Sequence, residues 1–282
     1  MASIAGAGRY IKGVSKGLGR GDFFPASSRA PVGEAPGGSS SERLVGPIKL
    51  GRHRIPVAGL ERPIQLVQIT DVHLRSVGPL HRTLTTAIQR VEGDVVVLTG
   101  DVVAREWTRA ALDDFLAKVP RGRLGTFAAL GNWEHWQGDV AMWEGLYASH
   151  GIPLLREQVA QVGQLQLVGL DDHLAGASDP DGVLGELDLT RPTAVLSHSP
   201  ASFDAIARPG VDLVLSGHTH GGQFVLPGAG ALWVPKGSVP YIRGFYRKNS
   251  SLLYVSPGLG WSIAPLRIGC PPEIALHILE PA

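Results

Sequence analysis

His218 and His220 stand one residue apart in Ser216-Gly217-His218-Thr219-His220-Gly221-Gly222-Gln223, directly after the apolar run 211–215. Neutral imidazole is the commonest side-chain metal ligand. Extended backbone would send the two rings to opposite faces, so an irregular, glycine-permitted turn has to bring them together. Asp71 and His73 repeat the same spacing, while Asp101 follows Gly100, Asn132 follows Gly131 and His198 follows Ser197. Seven nitrogen and oxygen ligands exceed the needs of one tetrahedral ion. They suit two ions that share a bridging carboxylate and leave positions open to water and substrate. Such a pair, roughly 3.5–4 Å apart, supplies a hydroxide at neutral pH and clamps a phosphoryl group for in-line displacement. One Asp or Asn alone would say little, because turns favour both. The information lies in all seven falling at equivalent places.

The element before each residue makes the places equivalent. Apolar runs at 64–70, 94–99, 124–130, 193–197 and 211–215 are too short for helices and rich in β-branched residues, and each ends at a candidate ligand. Runs without polar alternation are strands buried on both faces. Strands of one sheet place their carboxyl ends along a single rim, where α/β sheets bind ligands, so the five are expected side by side. Apolar stripes fill the gaps: Leu80, Leu84, Ala87, Ile88 and Val91 behind Pro79, then Leu112, Phe115, Leu116 and Val119, then Val140, Trp143, Leu146 and Tyr147. Ser199-Pro200 opens a short helix carrying Phe203 and Ile206. Strands alternating with helices imply parallel βαβ units. Segments 164–169, 231–234, 251–255 and 274–279 read as strands without helices between them, and 48–55 as an edge strand or hairpin arm. The expected fold class is α/β, a four-layer α-β-β-α sandwich of two mixed sheets.

A chain of 282 residues with 44% hydrophobic and 18% charged residues has material for an ordinary globular core. Its formal net charge of +1 gives no global argument for nucleic acid, and no specific nucleic-acid partner is expected. The single cysteine, Cys270, excludes an internal disulfide framework and a thiolate cluster. No apolar run approaches the ~18–20 residues that cross a bilayer, and Met1 to Ala7 is too short for the apolar part of a secretory signal. A cytoplasmic location, peripheral to the membrane at most, is therefore expected. Residues 1–44 read as a disordered tail, with Gly37-Gly38-Ser39-Ser40-Ser41 as the linker signal, and 45–282 as the metal-binding domain. Within the tail, Arg9, Lys12, Lys16 and Arg20 recur at helical spacing among Ile4, Ile11, Val14 and Leu18. That pattern suits peripheral contact with an anionic membrane. The many glycines weaken any helix there, and a solvated tail is the preferred reading.

Asp71-x-His73, Gly100-Asp101, Gly131-Asn132-x-Glu134, His198 and Gly217-His218-x-His220 resemble the signature of the calcineurin-like metallophosphoesterases. Gly221-Gly222-Gln223, the stretch 254–260, Arg267 and Pro272-Glu273-Ile274 look like the bacterial envelope-associated, phosphodiesterase-like branch. The resemblance implies the calcineurin-like metallophosphoesterase fold and a binuclear metal-dependent hydrolase that opens a phosphodiester with a metal-bridging hydroxide. It implies one ion on Asp71, His73, Asp101 and His220 and a second on Asp101, Asn132, His198 and His218, with Asp101 shared. Manganese, iron and zinc all suit such ligands, as divalent or mixed-valence pairs.

One position departs from the family pattern. Its members usually carry His after Gly-Asn, near the leaving-group oxygen; here the residue is Trp133, whose indole cannot titrate usefully. His135, two residues on, is the candidate replacement acid. Asn132, Trp133 and Arg243 are candidate substrate contacts. Arg243 belongs to the aromatic and cationic segment 233–248, which suits a phosphorylated lipid, sugar or nucleotide. The competing reading, a non-catalytic metal-binding scaffold of the same fold, rests on Trp133 alone. His53, His81, His150 and His277 read as structural, and so does His173 after Asp171-Asp172.

Overall fold

The computed structural model describes residues 38–262 and 264–282, so the basic segment around Arg9 to Arg20 lies outside the described residues. In chain order the strands are β1 (Ser39–Val45), β2 (Ile48–Val57), β3 (Ile64–Ile69), β4 (Val95–Thr99), β5 (Gly125–Ala129), β6 (Gln158–Val162) and β7 (Leu165–Gly169). There follow β8 (Thr193–Leu196), β9 (Leu213–Ser216), β10 (Val225–Leu226), β11 (Gly230–Ala231), β12 (Gly244–Lys248), β13 (Ser251–Val255) and β14 (Glu273–Pro281). One six-stranded sheet runs β1-β2-β14-β3-β4-β5 and another β12-β13-β9-β8-β7-β6, with β10 and β11 as a separate ribbon. Parallel pairs form the centre of the second sheet and antiparallel strands its two edges.

The burial of single strands explains why the sheets form two inner layers. Val95 and Val97 of β4 face the core shared with Leu196 and Leu215 of the other sheet. Val96 and Leu98 face outward, against Leu84 and Ile88 of the helix Pro79–Ile88 and Leu112 and Phe115 of the helix Arg109–Lys118. On the far side, Val195 and Val214 pack against Phe203 and Ile206 of the helix Phe203–Ile206. A strand covered on both faces has no place for polar alternation. The four-layer α-β-β-α sandwich is thus the observed fold. Among the described residues, no helix is long and apolar enough to cross a membrane.

Several placements differ from those expected. The five ligand-bearing strands do not share a sheet: β3, β4 and β5 belong to one, β8 and β9 to the other. The segment at 274–279 lies inside the first sheet, between β2 and β3, rather than in the second. Of the stretch expected at 231–234 only Ala231 is in a strand, as the second residue of β11. β2 is interior, because β1 takes the edge beside it. The linker-like serines at 39–41 are part of β1, where Ser40 Oγ reaches Nδ1 of His53 at 3.0 Å and gives the small polar side chain a partner.

Candidate metal centre

The carboxyl ends of β3 and β4 meet those of β8 and β9 across the seam between the sheets. Gln68 of β3 donates from Nε2 to the carbonyl of Ser216 at the end of β9, at 3.1 Å. At this seam Asp71, His73 and His220 form one buried trio and Asp101, His198 and His218 a second, with the ligand atoms of each trio within 4.8 Å of one another. Each trio draws on both sheets. Nε2 of His73 and Nε2 of His220 are 3.0 Å apart. Oδ2 of Asp101 lies 3.2 Å from Nε2 of His198 and 3.7 Å from Nε2 of His73, between the trios. Oδ1 of Asn132 is 2.9 Å from Nδ1 of His218.

Convergence is achieved through the backbone. Asp71, His73, Asp101, His218 and His220 all have positive φ, between 50° and 69°. This left-handed conformation costs a non-glycine residue roughly 1–2 kcal/mol, and it turns alternate side chains of Asp71-Val72-His73 and His218-Thr219-His220 toward one point. The glycine just before a ligand has a different task. A Cβ on Gly217 would fall 2.2 Å from Oδ2 of Asp71, and one on Gly131 would fall 2.4 Å from Oδ1 of Asp101. Neither position accommodates a side chain.

Hydrogen bonds fix which nitrogen each ring presents. His198 donates from Nδ1 to the Thr99 carbonyl at 2.8 Å, so Nε2 faces Asp101. His218 donates from Nε2 to the Lys236 carbonyl at 2.9 Å, so Nδ1 faces Asn132. A second buried layer holds the carboxylates. The backbone N–H of His218 donates to both oxygens of Asp71 at 3.0 Å, and that of Trp133 to Oδ1 of Asp101 at 2.9 Å. Glu134, fully buried, accepts from the backbone N–H groups of Asp101, Val102, Val103 and Gly131 at 2.8 to 3.3 Å. Arg267 braces the far side through the carbonyls of Gly260, Pro257 and His220.

These residues fit a cation. Three buried carboxylates and four buried imidazoles share the seam, and Nε2 of His198, though buried, faces Oδ2 of Asp101 at 3.2 Å without forming an aligned hydrogen bond. Two imidazole nitrogens facing each other have at most one proton between them. Burial pushes Asp71 up to about 7 and His73 down to about 3. Burial likewise lowers His218 and His220, whereas Asp101 raises His198 against its burial. Where burial holds three of the four imidazoles neutral beside buried carboxyl groups, positive charge is welcome from elsewhere. Asp71 to His220 would hold one ion and Asp101 to His218, with Asn132, another.

The seam opens into a cavity of ≈ 240 Å³ lined by Asp101, Asn132, Trp133, Trp136, Leu174, His218, His220, Lys236 and Ser262. Two expected contacts lie elsewhere. His135 is not on the cavity wall; its Nε2 is 2.6 Å from Oδ1 of Asp171, whose Oδ2 accepts from Nε of Arg156 at 3.1 Å. Arg243 donates to the Gly269 carbonyl at 3.1 Å, and the cation on the wall is Lys236. The attraction of a buried carboxylate, 36 residues on and invisible to local spacing, decides where His135 points. The indole of Trp133 stands edge-on to His73, with ring centres 5.6 Å apart. The remaining histidines have structural partners: His81 with Asp114, His150 with Asp113, His53 with Tyr254 and His277 with Gln68. His173 is exposed.

The Asp171 pairing has a measurable consequence. The Asp171 hydrogen bond raises His135, so this stabilisation is complete below the ordinary imidazole range, ~6.5, and is lost as pH rises through the folded value. Asp171 is depressed, chiefly by hydrogen bonds from His135 and from backbone N–H groups that outweigh its burial, so its share is lost only as pH falls through the carboxylate range. His135→Ala is therefore expected to lower the melting temperature most between about pH 4 and 6.5, with a smaller deficit at alkaline pH. It should leave the ratio of alkyl to aryl ester hydrolysis unchanged. A selective loss of alkyl hydrolysis would show that the ring swings into the cavity.

Comparison with known proteins agrees with this geometry. The sequence model of the calcineurin-like phosphoesterases matches residues 64–222, from the start of β3 to just past His220. The metallophosphoesterase YkuE of Bacillus subtilis is 30% identical over 226 residues, covering 77% of this chain and 79% of its own. The phosphodiesterase YaeI of Escherichia coli is 30% identical over 225 residues, covering 76% and 81%. A bovine transmembrane protein with a metallophosphoesterase domain is 31% identical over 257 residues, and there the match spans 82% of this chain but 55% of the relative. With the matched segment bounded by the first and last of the ligand-bearing loops, the chain belongs to the calcineurin-like phosphoesterase family.

Proposed function

We propose that the chain is a binuclear metal-dependent phosphodiesterase, with Asp101 shared between two ions. The observation that carries this reading is the position of Oδ2 of Asp101 between His198 and His73, one from each trio. Two ions held there would polarise a phosphoryl oxygen and lower the pKa of coordinated water toward neutrality. The protein's own part is positioning. The Thr99 and Lys236 carbonyls fix the ring nitrogens, Glu134 fixes the Asp101 loop, and Trp133 lines the cavity beside the ligands. Lys236 offers a charge to the phosphoryl oxygens. The test is metal titration of the chelated protein. Two equivalents of manganese should bind, and hydrolysis of bis(p-nitrophenyl) phosphate should appear with the second. Activity complete at one equivalent would exclude the shared-carboxylate reading.

Among the wall residues the imidazoles belong to the ligand set, so none is left to protonate a leaving group. Aryl esters, whose leaving groups are stable anions, should therefore outpace alkyl esters steeply. A general acid contributes ~10²–10⁴-fold, and Trp133→His should raise alkyl diester hydrolysis by about 10² while leaving aryl hydrolysis nearly unchanged. Parallel rate measurements on the two ester classes decide it. No selective gain would assign the indole to binding.

A further inference from the structure

From Leu213 to Pro272 the chain contains no aspartate or glutamate, while it carries Lys236, Arg243, Arg247, Lys248 and Arg267. The two loops that bring Lys236 and Ser262 to the cavity lie within this acid-free stretch. They are tied together at Gln223, just after His220: its amide donates to the carbonyls of Ala264 and Leu266 and accepts from the Ser262 N–H. Phe224 bridges to Ile268, and the Arg243 guanidinium sits on the carbonyl of Gly269 beside it. Lys236 and Arg243 are thus the cations these loops present beside their apolar side chains, while Arg267 is turned inward onto the His220 loop and Lys248 pairs with Asp204.

Among the large apolar side chains exposed in the described residues, Trp136 and Leu174 line the cavity, and Leu232, Leu266 and Ile268 lie on the loops that backbone hydrogen bonds tie to Gln223 and Phe224 beside it. Leu266 is 55% exposed and Leu232 45%, although each is held by backbone hydrogen bonds rather than left on a loose end. Scattered exposed leucines are ordinary, but a group of them on ordered loops beside a cavity marks a surface that something apolar covers. Whatever covers it must also leave a phosphoester in the cavity. A protein partner would plug the mouth, and a nucleic acid would leave the leucines in water. A lipid surface satisfies both conditions, because it presents phosphoesters in the plane where apolar side chains enter and where cations meet anionic headgroups.

We infer that the metal-bearing rim is a docking face for an anionic lipid surface, and that the phosphoester accepted by the cavity belongs to an amphiphile held in that surface. The substrate part of this inference rests on the phosphodiesterase reading; the docking part does not. The test uses the full chain loaded with manganese and vesicles of phosphatidylcholine with and without phosphatidylglycerol. Leu266→Asp combined with Ile268→Asp should reduce sedimentation with phosphatidylglycerol vesicles at least ~10-fold, since it removes two apolar anchors and adds two like charges. Leu232→Asp, on the other loop, should do so independently. Hydrolysis of soluble bis(p-nitrophenyl) phosphate should stay at the parent rate in all these variants, while hydrolysis of a diester presented in the vesicles falls with binding. Unchanged sedimentation of both variants overturns the docking face, as does equal binding to the two vesicle types. A dimer that the substitutions dissolve while vesicle binding persists overturns it in favour of a protein partner. Loss of vesicle binding in a protein whose parent never hydrolyses the soluble diester would leave the docking face standing and remove the enzymatic reading.

Discussion

Asp101→Asn is expected to lower kcat/KM for bis(p-nitrophenyl) phosphate by at least ~10³-fold and to reduce bound metal from two equivalents to one or none. Loss of an outer-layer partner typically costs ~10–100-fold in metal affinity or activity, and Asp101 is no outer partner: Oδ2 faces both His198 and His73. The amide keeps the shape and the Trp133 N–H contact on one oxygen. It removes the negative charge that two cations would share, and it offers an NH₂ donor or a weaker carbonyl in its place. Metal analysis of the purified variant, beside its activity at saturating manganese, checks the result. Retention of two equivalents with parent activity would show that Asp101 is dispensable as a shared ligand.

Glu134→Ala should destabilise the fold by about 3–5 kcal/mol, since an orphaned buried donor costs ~1–3 kcal/mol and this substitution orphans several at once. The four N–H groups involved span the two loops that carry Asp101 and Asn132. In the helix Asn132–Gln137, Glu134 occupies the third position and reaches back to the N–H of Gly131, the cap that closes a helix start. Burial and the neighbouring Asp101 push its carboxyl up to about 7, against the pull of the N–H groups. Glu134→Gln keeps one carbonyl oxygen and should fall between Ala and the parent. Urea unfolding should show a lower midpoint with an unchanged slope. A midpoint equal to the parent's would mean that water or a shifted loop satisfies those donors.

The ligands were legible because chemistry repeats at the ends of unlike strands. Asp71, Asp101, Asn132, His198 and His218 each follow an apolar run, and such runs are visible one residue at a time. Which sheet a run joins is not visible in that way. β8 and β4 are both short, apolar and covered on both faces, and nothing in Thr193 to Leu196 says that its neighbours are β7 and β9. That choice belongs to tertiary pairing. The turn at His218 to His220 was expected to depend on glycine freedom, yet the histidines themselves adopt the left-handed backbone while Gly217 makes room for Asp71. His135 and Arg243 were placed by residue type and proximity in sequence. Asp171 and the Gly269 carbonyl, both distant along the chain, decide where they point.

The division of each trio between the two sheets has a mechanical side. His73 and His220 are separated by 147 positions in the chain, yet their ring nitrogens touch across the seam. An ion bound there is a cross-link, and one that ties so long a loop removes more unfolded-chain entropy than a short clip. Because such an ion would bind only the assembled seam, its binding free energy would add to folding free energy. Two such rivets at one end of the sandwich would set how far one sheet can slide over the other. Catalytic geometry and the alignment of the halves would then be held by the same two bolts.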